Sequence, residues 1–356
     1  MSAYLKNAWY AAAWSHEVGR QLLKRVIMEQ SILFYRKEDG TAVAMSNRCA
    51  HRFAPLHLGK LEGDTVSCPY HGLRYESSGK CVFNPNGNQV VPSGARLRTY
   101  ALAERDGVLW IWPGDANRAD LTQLPDLSYM EDPTRYAPVT GYLHVRANYR
   151  YITDNVMDNA HVSTVHQHTL GCESFLRATP HVKPQEGDTI WSYMTCPPGL
   201  PGAIWTEIWK AEHGGSAPGP MDHWVEIGWK PGATVMQETG ITPVGQPREH
   251  GIVTLNFHLM TPETEETTHY FWGICRTFQL NNSELDEQMK LGAAYAFSQE
   301  DEPMLAAIQA ESGSQNFWAM KPSLIAEDIG LTKVRRRMDE LMRAETASTD
   351  AGGFDR

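Results

Sequence analysis

"CAHRFAPLHLGKLEGDTVSCPYHGLRY" (residues 49–75) decides how the first third of this chain folds. Its chemistry-bearing residues fall in two short loops, Cys-x-His at Cys49 and His51 and Cys-x-x-His at Cys68 and His71, with sixteen residues between them. The flanking sequence reads as short strands divided by turns: "SILFYR" and "TAVAMSNR" around "KEDG", "LRYES" and "KCVFN" around "SG", "TYALAER" and "VLWIWP" around "DG". Residues 1–114 are therefore expected to form a small antiparallel β domain whose hairpin tips gather two thiolates and two imidazoles. Pro113-Gly114-Asp115 then opens a polar connector, 115–139, running through "LPDLSYMEDPTR".

Two Cys and two His are a metal-binding set, and their order narrows the metal. A zinc finger pairs Cys with Cys on a hairpin and His with His on a helix. Here each loop mixes the two types on an all-β scaffold, which suits a Rieske [2Fe–2S] cluster: two Cys on one iron, two His on the other. Neutral imidazoles in place of thiolates remove negative charge and raise the reduction potential. Gly72, close to Pro69, suits a tight loop whose N–H groups can face bridging sulfides. A zinc site is the competing reading, and His57 is expected to pack rather than to ligate.

The bulk composition agrees with an intracellular, two-part protein. The 356 residues exceed one small domain, and a 42% hydrophobic content supplies a core. A formal charge of −10 with no Lys/Arg stripe argues against a nucleic-acid surface. No apolar run reaches membrane-spanning length and no secretory leader pattern opens the chain, so a soluble, cytoplasmic protein is expected. Six cysteines are too sparse for a disulfide scaffold.

From residue 140 a strand-like "GYLHVRANYR" leads into "DNVMDNAHVSTVH" (residues 154–166), and more strand-rich runs follow: "TIWSYMTC", "AIWTEIWKA", "DHWVEIGW", "IVTLNFHLMTP" and "THYFWGICRTF". Helical patterns begin at Ser283 and end with an amphipathic helix over about 323–345, before a flexible tail, 346–356. Strands followed by helices predict an α+β second domain over 140–345. Within 154–166, His161 and His166 are five apart, about 140° on an ideal helix. Both rings can converge only at a widened or broken turn, such as a π-bulge. Asn155, Asp158 and His161 recur every three residues and so share a face. A carboxylate beside a metal-binding His commonly accepts the second ring N–H.

Two histidines are an incomplete site. A 2-His-1-carboxylate triad for non-haem Fe(II) needs one more acid and keeps positions open for O₂. "AFSQEDEPMLAAI" offers Glu300, Asp301 and Glu302. Helical phase favours Asp301, in line with Phe297, Met304 and Ile308 on one apolar stripe, where an acid must be paired or bound to metal. Pro303 also frees the carbonyl of Gln299 and loosens the helix there.

Together, "CAHRFAPLHLGKLEGDTVSCPYHGLRY" and "DNVMDNAHVSTVH" resemble a Rieske non-haem iron oxygenase, the α-subunit of a terminal oxygenase. "NAWY", "IWPGD", "MTPETEETTHYFWG" and "ED" before a helix resemble its vanillate O-demethylase branch, to which dicamba O-demethylase belongs. The resemblance implies a Rieske β domain followed by a helix-grip (START-like) catalytic domain with an antiparallel sheet and C-terminal helices. It implies Cys49 and Cys68 on one cluster iron, His51 and His71 on the other, and His161, His166 and Asp301 on the catalytic iron. Asp158, with Asn155 beside it, would link a cluster histidine to an iron-bound histidine across a subunit boundary, which implies a head-to-tail homotrimer. O₂ and NADH-derived electrons are the implied co-substrates. The electrons would come from a flavin and plant-type [2Fe–2S] reductase or from a ferredoxin. Ala50 and Phe53 depart from the family's C-P-H-R-G pattern without touching a ligand.

The implied reaction is O-demethylation of a small anionic aromatic such as vanillate or another methoxybenzoate, with formaldehyde release. The alternative is methyl or ring hydroxylation of another aromatic acid or sulfonate. Strand alternation places Asn256 and His258 on one face of "IVTLNFHLMTP", a pocket face or a solvent face, and Gln237 is a third candidate substrate contact. No basic residue stands out as a carboxylate clamp. An electron carrier with a non-catalytic ligand domain is the rival function; it has no need of the second iron site.

Overall fold

The computed structural model describes residues 3–184, 187–312 and 316–351. Lys6–Leu124 form one compact unit; the chain from Pro125 on, with the residues before Lys6, forms the other. The strands of the first are β1 (Tyr10–Trp14), β2 (Leu23–Ile27), β3 (Gln30–Arg36), β4 (Ala42–Ser46), β5 (Lys60–Glu62), β6 (Thr65–Ser67), β7 (Arg74–Tyr75), β8 (Cys81–Phe83), β9 (Ala101–Arg105) and β10 (Val108–Trp112). They pair as three antiparallel sheets, β1–β10–β9, β2–β3–β4 and β5–β6–β7–β8. "YAAAW" and "VLWIW" are buried along their whole length, so β1 and β10 are core strands without alternation. The β9–β10 hairpin turns on Asp106 and Gly107, both with positive φ (54° and 72°), the twist that a two-residue hairpin requires. Cys49 and Cys68 sit in a core with Leu33, Met45, Leu56, Val66 and Tyr75.

In the second unit the order is β11 (Ala137–Val145), α1 (Tyr149–Met157), α2 (Val162–Val165), α3 (Glu173–Leu176), β12 (Thr179–Val182), β13 (Ile190–Thr195), α4 (Ala203–Glu212), β14 (Met221–Lys230), β15 (Thr234–Pro243), β16 (Ile252–Pro262), β17 (Thr268–Arg276), α5 (Ser283–Tyr295), α6 (Glu302–Ser312) and α7 (Ile329–Ala351). Seven strands make one antiparallel sheet in the order β11–β17–β16–β15–β14–β13–β12. α1 packs on β15 and β16, and α7 packs on β12, β13 and α1. Arg335 of α7, itself buried, grips both carboxylate oxygens of Asp154 in α1 at 2.6–2.9 Å. This is the N-terminal Rieske-type β domain and helix-covered antiparallel sheet expected from the sequence. Among the described residues no helix is long and apolar enough to cross a membrane.

Several local expectations change. "AIWTEIWKA" is the helix α4, not a strand: Trp205, Ile208 and Trp209 are its buried side, spaced three and one, and they pack on Met221, Ile241, Ile252 and Phe278. "GYLHVRANYR" ends as a strand at Val145, because Asn148 accepts the Arg150 N–H (3.0 Å) and caps α1. The last helix begins at Ile329 and runs to Ala351, so residues 346–351 continue it. The remainder of the expected tail, 352–356, lies outside the described residues.

Candidate functional site

The first constellation sits on the loop between β4 and β5 and the loop between β6 and β7. Cys49 and Cys68 are buried, whereas His51 is exposed and His71 half-buried, their rings 4.6 Å apart. Burial pushes the Cys68 thiol up, while the N–H groups of Tyr70 and His71, aimed at its sulfur, pull it down. Tyr75, its O–H kept protonated by burial and by Cys49, lies 3.2 Å from the Cys49 sulfur. Gly72 has φ +72°, and a Cβ there would meet Pro85 at 2.9 Å, so only glycine fits this tip. A tetrahedral zinc needs four donors converging on one point. Among the described residues, at least three metal-binding side chains come within 4.8 Å of one another only elsewhere, at His161, His166 and Asp301. Two buried sulfurs and two outer imidazoles fit ligands divided between two irons. His57 is a packing residue, as expected: its Nδ1 lies 2.9 Å from Asn47 Nδ2.

Phe53 explains one departure from the family pattern. It has φ +59°, the left-handed region in which glycine is unstrained, and its exposed ring lies under the Arg48 guanidinium at 4.8 Å.

The second constellation is assembled by two helix irregularities. α1 stops at Met157; Asp158 leaves the helix, and its Oδ1 accepts the Ala160 N–H (2.7 Å). His161 and His166 then flank the one-turn helix α2, their rings 5.3 Å apart. The broken turn thus stands at 158–161, while the π-helical turn lies in the partner segment, Ala296–Asp301. Pro303 has no N–H for the Gln299 carbonyl and crowds it, which favours the widened turn that carries Asp301 inward. That extra residue also shifts the helical phase. Asp301 is buried with Leu305, whereas Met304 and Ile308, expected on the same stripe, are exposed.

Asp301 Oδ1 lies 3.2 Å from His166 Nε2 and 3.7 Å from His161 Nε2. Asn155 Nδ2 donates to the same oxygen (3.1 Å). The other ring nitrogens are also occupied. His161 Nδ1 donates to the backbone carbonyl of Asp158 (2.5 Å), not to its carboxylate, whose Oδ2 is 3.8 Å away. His166 Nδ1 donates to Glu300 Oε2 (2.7 Å), which also accepts the Thr169 hydroxyl (3.0 Å). Burial disfavours the His166 imidazolium, but Asp301 and then Glu300 outweigh it and raise its pKa. A divalent cation among the three donors competes with that proton. Two imidazoles with fixed tautomers and one buried carboxylate are the donor set of a mononuclear Fe(II) site.

The trio forms one wall of a cleft whose other walls are mostly apolar, including Val145, Ile152, Val156, Phe297 and Leu305. Gln237 and His258 also line it; Asn256 does not, but holds Gln237 through an amide–amide hydrogen bond of 3.0 Å. His258 of β16 thus faces the cleft rather than solvent. Glu300 entered the sequence reading as a rival ligand, and its orienting role has no local signal, since it depends on where His166 Nδ1 points. Tyr270, which also lines the cleft, lies in a Trp-rich strand that reads as packing alone.

The Rieske [2Fe-2S] domain model matches residues 8–101, and the model of the vanillate O-demethylase oxygenase C-terminal domain matches residues 145–344. The chain is 37% identical to the oxygenase component of a chloroacetanilide N-alkylformylase from Rhizorhabdus wittichii, over 96% of this chain and 97% of the relative. It is 34% identical to the dicamba O-demethylase oxygenase component of Stenotrophomonas maltophilia, over 97% and 99%. The crystal structure of dicamba monooxygenase with non-haem iron and dicamba superposes with a TM-score of 0.83 at 32% identity, covering 97% of this chain and 99% of the other.

Proposed function

The chain belongs to the Rieske non-haem iron oxygenases of the vanillate O-demethylase kind, oxidoreductases that carry a [2Fe–2S] cluster and a non-haem Fe(II); from that premise we propose that it removes a methyl or other small alkyl group from a heteroatom on a small aromatic ring. The supporting observation is the placement of His161, His166 and Asp301 on the wall of a mostly apolar cleft that also holds Gln237 and His258. When bound, the iron supplies O₂ activation and the cluster supplies electrons singly. The remaining requirements fall to the protein. His161, His166 and Asp301 hold the metal, and Asn155 fixes the Asp301 rotamer. The apolar walls exclude water and seat the ring, while Gln237 and His258 meet its polar substituent.

For an aryl methyl ether such as vanillate or another methoxybenzoate, the methyl group, O₂, two electrons and two protons give a hemiacetal and water. Its C–O bond then breaks to release a phenol and formaldehyde. The same attack on a methylarene gives a benzylic alcohol instead. The electrons come from a separate donor protein, by this proposal an NADH-dependent flavin and [2Fe–2S] reductase or a ferredoxin in the cytoplasm. Anaerobic loading followed by NADH and O₂, with a panel of methoxy- and N-alkyl-arenes, should give formaldehyde in step with NADH oxidation. NADH consumption that never yields an aldehyde would refute dealkylation.

Asp158 is proposed to pass electrons from the cluster of a neighbouring copy in a head-to-tail homotrimer. What supports this is its half-exposed carboxylate, with Oδ2 left over after Oδ1 caps the turn, beside an iron-site histidine. Asp158→Asn should keep both metal centres and slow oxidation of the pre-reduced cluster in a single turnover. An unchanged rate would rule the route out.

A further inference from the structure

A second cleft, of about 230 Å³, opens between α7 and the β12–β13 hairpin, and no residue of the iron site lines it. Leu331, Val334, Arg335, Met338 and Met342 are the buried side of α7. Lys333, Arg336, Arg337 and Glu340 follow the i, i+3, i+4, i+7 spacing of one helix face and line the cleft. Lys183, just after β12, lines it too, and Val182 and Ile190 supply apolar surface. The space thus gathers four cations against one acid, in a chain whose formal charge is −10.

The pairing among these groups is incomplete. Lys183 is tied to Glu226 of β14 and lies over the Trp191 ring at 5.4 Å. Arg337 Nη2 donates to Asp188 Oδ1 (3.0 Å), and its Nη1 lies 3.6 Å from Glu340 Oε2. Its Nε, however, is buried with no hydrogen-bond partner among the described residues. Arg336 lies over the Trp318 ring at 5.6 Å, which orients the guanidinium without neutralising it. Neither Lys333 nor Arg336, both exposed, has an acidic partner among the described residues.

A charged helix stripe is ordinarily a solvated face, and two features set this one apart. Lys333 stands three and four residues before Arg336 and Arg337, a like-charge arrangement that repels. A solvated stripe also leaves no donor sealed from water, whereas the Arg337 Nε is both sealed and unpaired. A multiply charged oxyanion meets both needs: guanidinium forks bind two of its oxygens, and an ammonium group adds a point charge. The apolar surfaces of Val182 and Ile190 lower the local dielectric and strengthen that attraction. We propose that the cleft between α7 and the β12–β13 hairpin is a binding site for a small, multiply charged oxyanion, held chiefly by Lys333, Arg336 and Arg337. A phosphate and a polycarboxylate share this chemistry. The inference goes beyond the dealkylation reading and does not rest on it.

The test is calorimetry on the intact holoenzyme, titrated separately with inorganic phosphate and with citrate at an ionic strength fixed by sodium chloride. One saturable site per chain is expected for at least one probe, and the better probe tells a phosphoryl ligand from a polycarboxylate. Lys333→Gln with Arg336→Gln removes two charge-assisted contacts and should weaken binding at least about tenfold. Iron content and the cluster spectrum should stay unchanged, since neither side chain lines the iron cleft. A like loss in a control carrying Lys60→Gln and Lys80→Gln, exposed cations outside the cleft, would report net charge alone and overturn the site. No saturable heat with either probe up to about 10 mM, or binding indifferent to the Lys333 and Arg336 changes, overturns it equally.

Discussion

The two metal centres of this chain are built on opposite plans. The cluster ligands lie between residues 49 and 71 on two hairpin tips, with the sulfurs inside and the imidazoles outside. The mononuclear trio joins a broken helix at 158–161 to a π-helical turn at 296–301, far apart in sequence. A local motif needs only its own turns to be correct. An assembled site needs the sheet, α1, α6 and the helix irregularities to agree at once, and a small shift in any of them moves a ligand. Changes near the cluster should therefore act through local backbone, and changes near the trio through metal affinity.

The largest expected effect tests that independence. Asp301→Ala removes the one carboxylate of the trio and should abolish turnover and the mononuclear iron, while the visible and EPR signature of the cluster persists. Retention of that iron, or loss of the cluster with it, would break the contrast. A smaller effect is expected one step out. Glu300→Gln keeps the size of the group that receives His166 Nδ1–H but removes its charge, and should weaken Fe(II) binding by about 10–100-fold. Titration of the metal-free site with Fe(II) measures this directly, and affinity within twofold of the parent would show that the Glu300 contact is incidental. The smallest lies on the cluster loop. At the left-handed Phe53 position, Phe53→Gly should be about 1 kcal/mol more stable than Phe53→Ala, because both lose the Arg48 contact and only alanine carries the Cβ strain. Equal unfolding midpoints would mean that the loop relaxes.

Legibility follows the same divide. Both ligand sets are readable because residue type restricts them so strongly: few reasons put Cys-x-His and Cys-x-x-His on neighbouring hairpins, or His five residues from His beside a loosened helix carrying an acid. The carrier elements are less readable. Asp301 is the acid that lies beside His161 and His166, but the stripe that suggests it includes Met304 and Ile308, which face outwards, because a π-turn adds a residue that a regular 3.6 period cannot register. "AIWTEIWKA" reads as a strand because its Trp and Ile residues favour strands. It folds as a helix because Trp205, Ile208 and Trp209 find one apolar seat against Met221, Ile241, Ile252 and Phe278.

By itself, then, the amino-acid sequence determined the β domain with its two Cys/His loops, the seven side chains proposed to bind metal and the α+β character of the second domain. These rest on residue chemistry and short-range spacing, which survive any uncertainty about packing. Only the tertiary structure decided which nitrogen of each histidine is free, that Glu300 accepts the His166 Nδ1–H, that His258 of β16 looks into the cleft, and that Tyr270 reaches His258. Those are facts of direction and distance between elements remote in sequence, and direction is set only when the elements have packed.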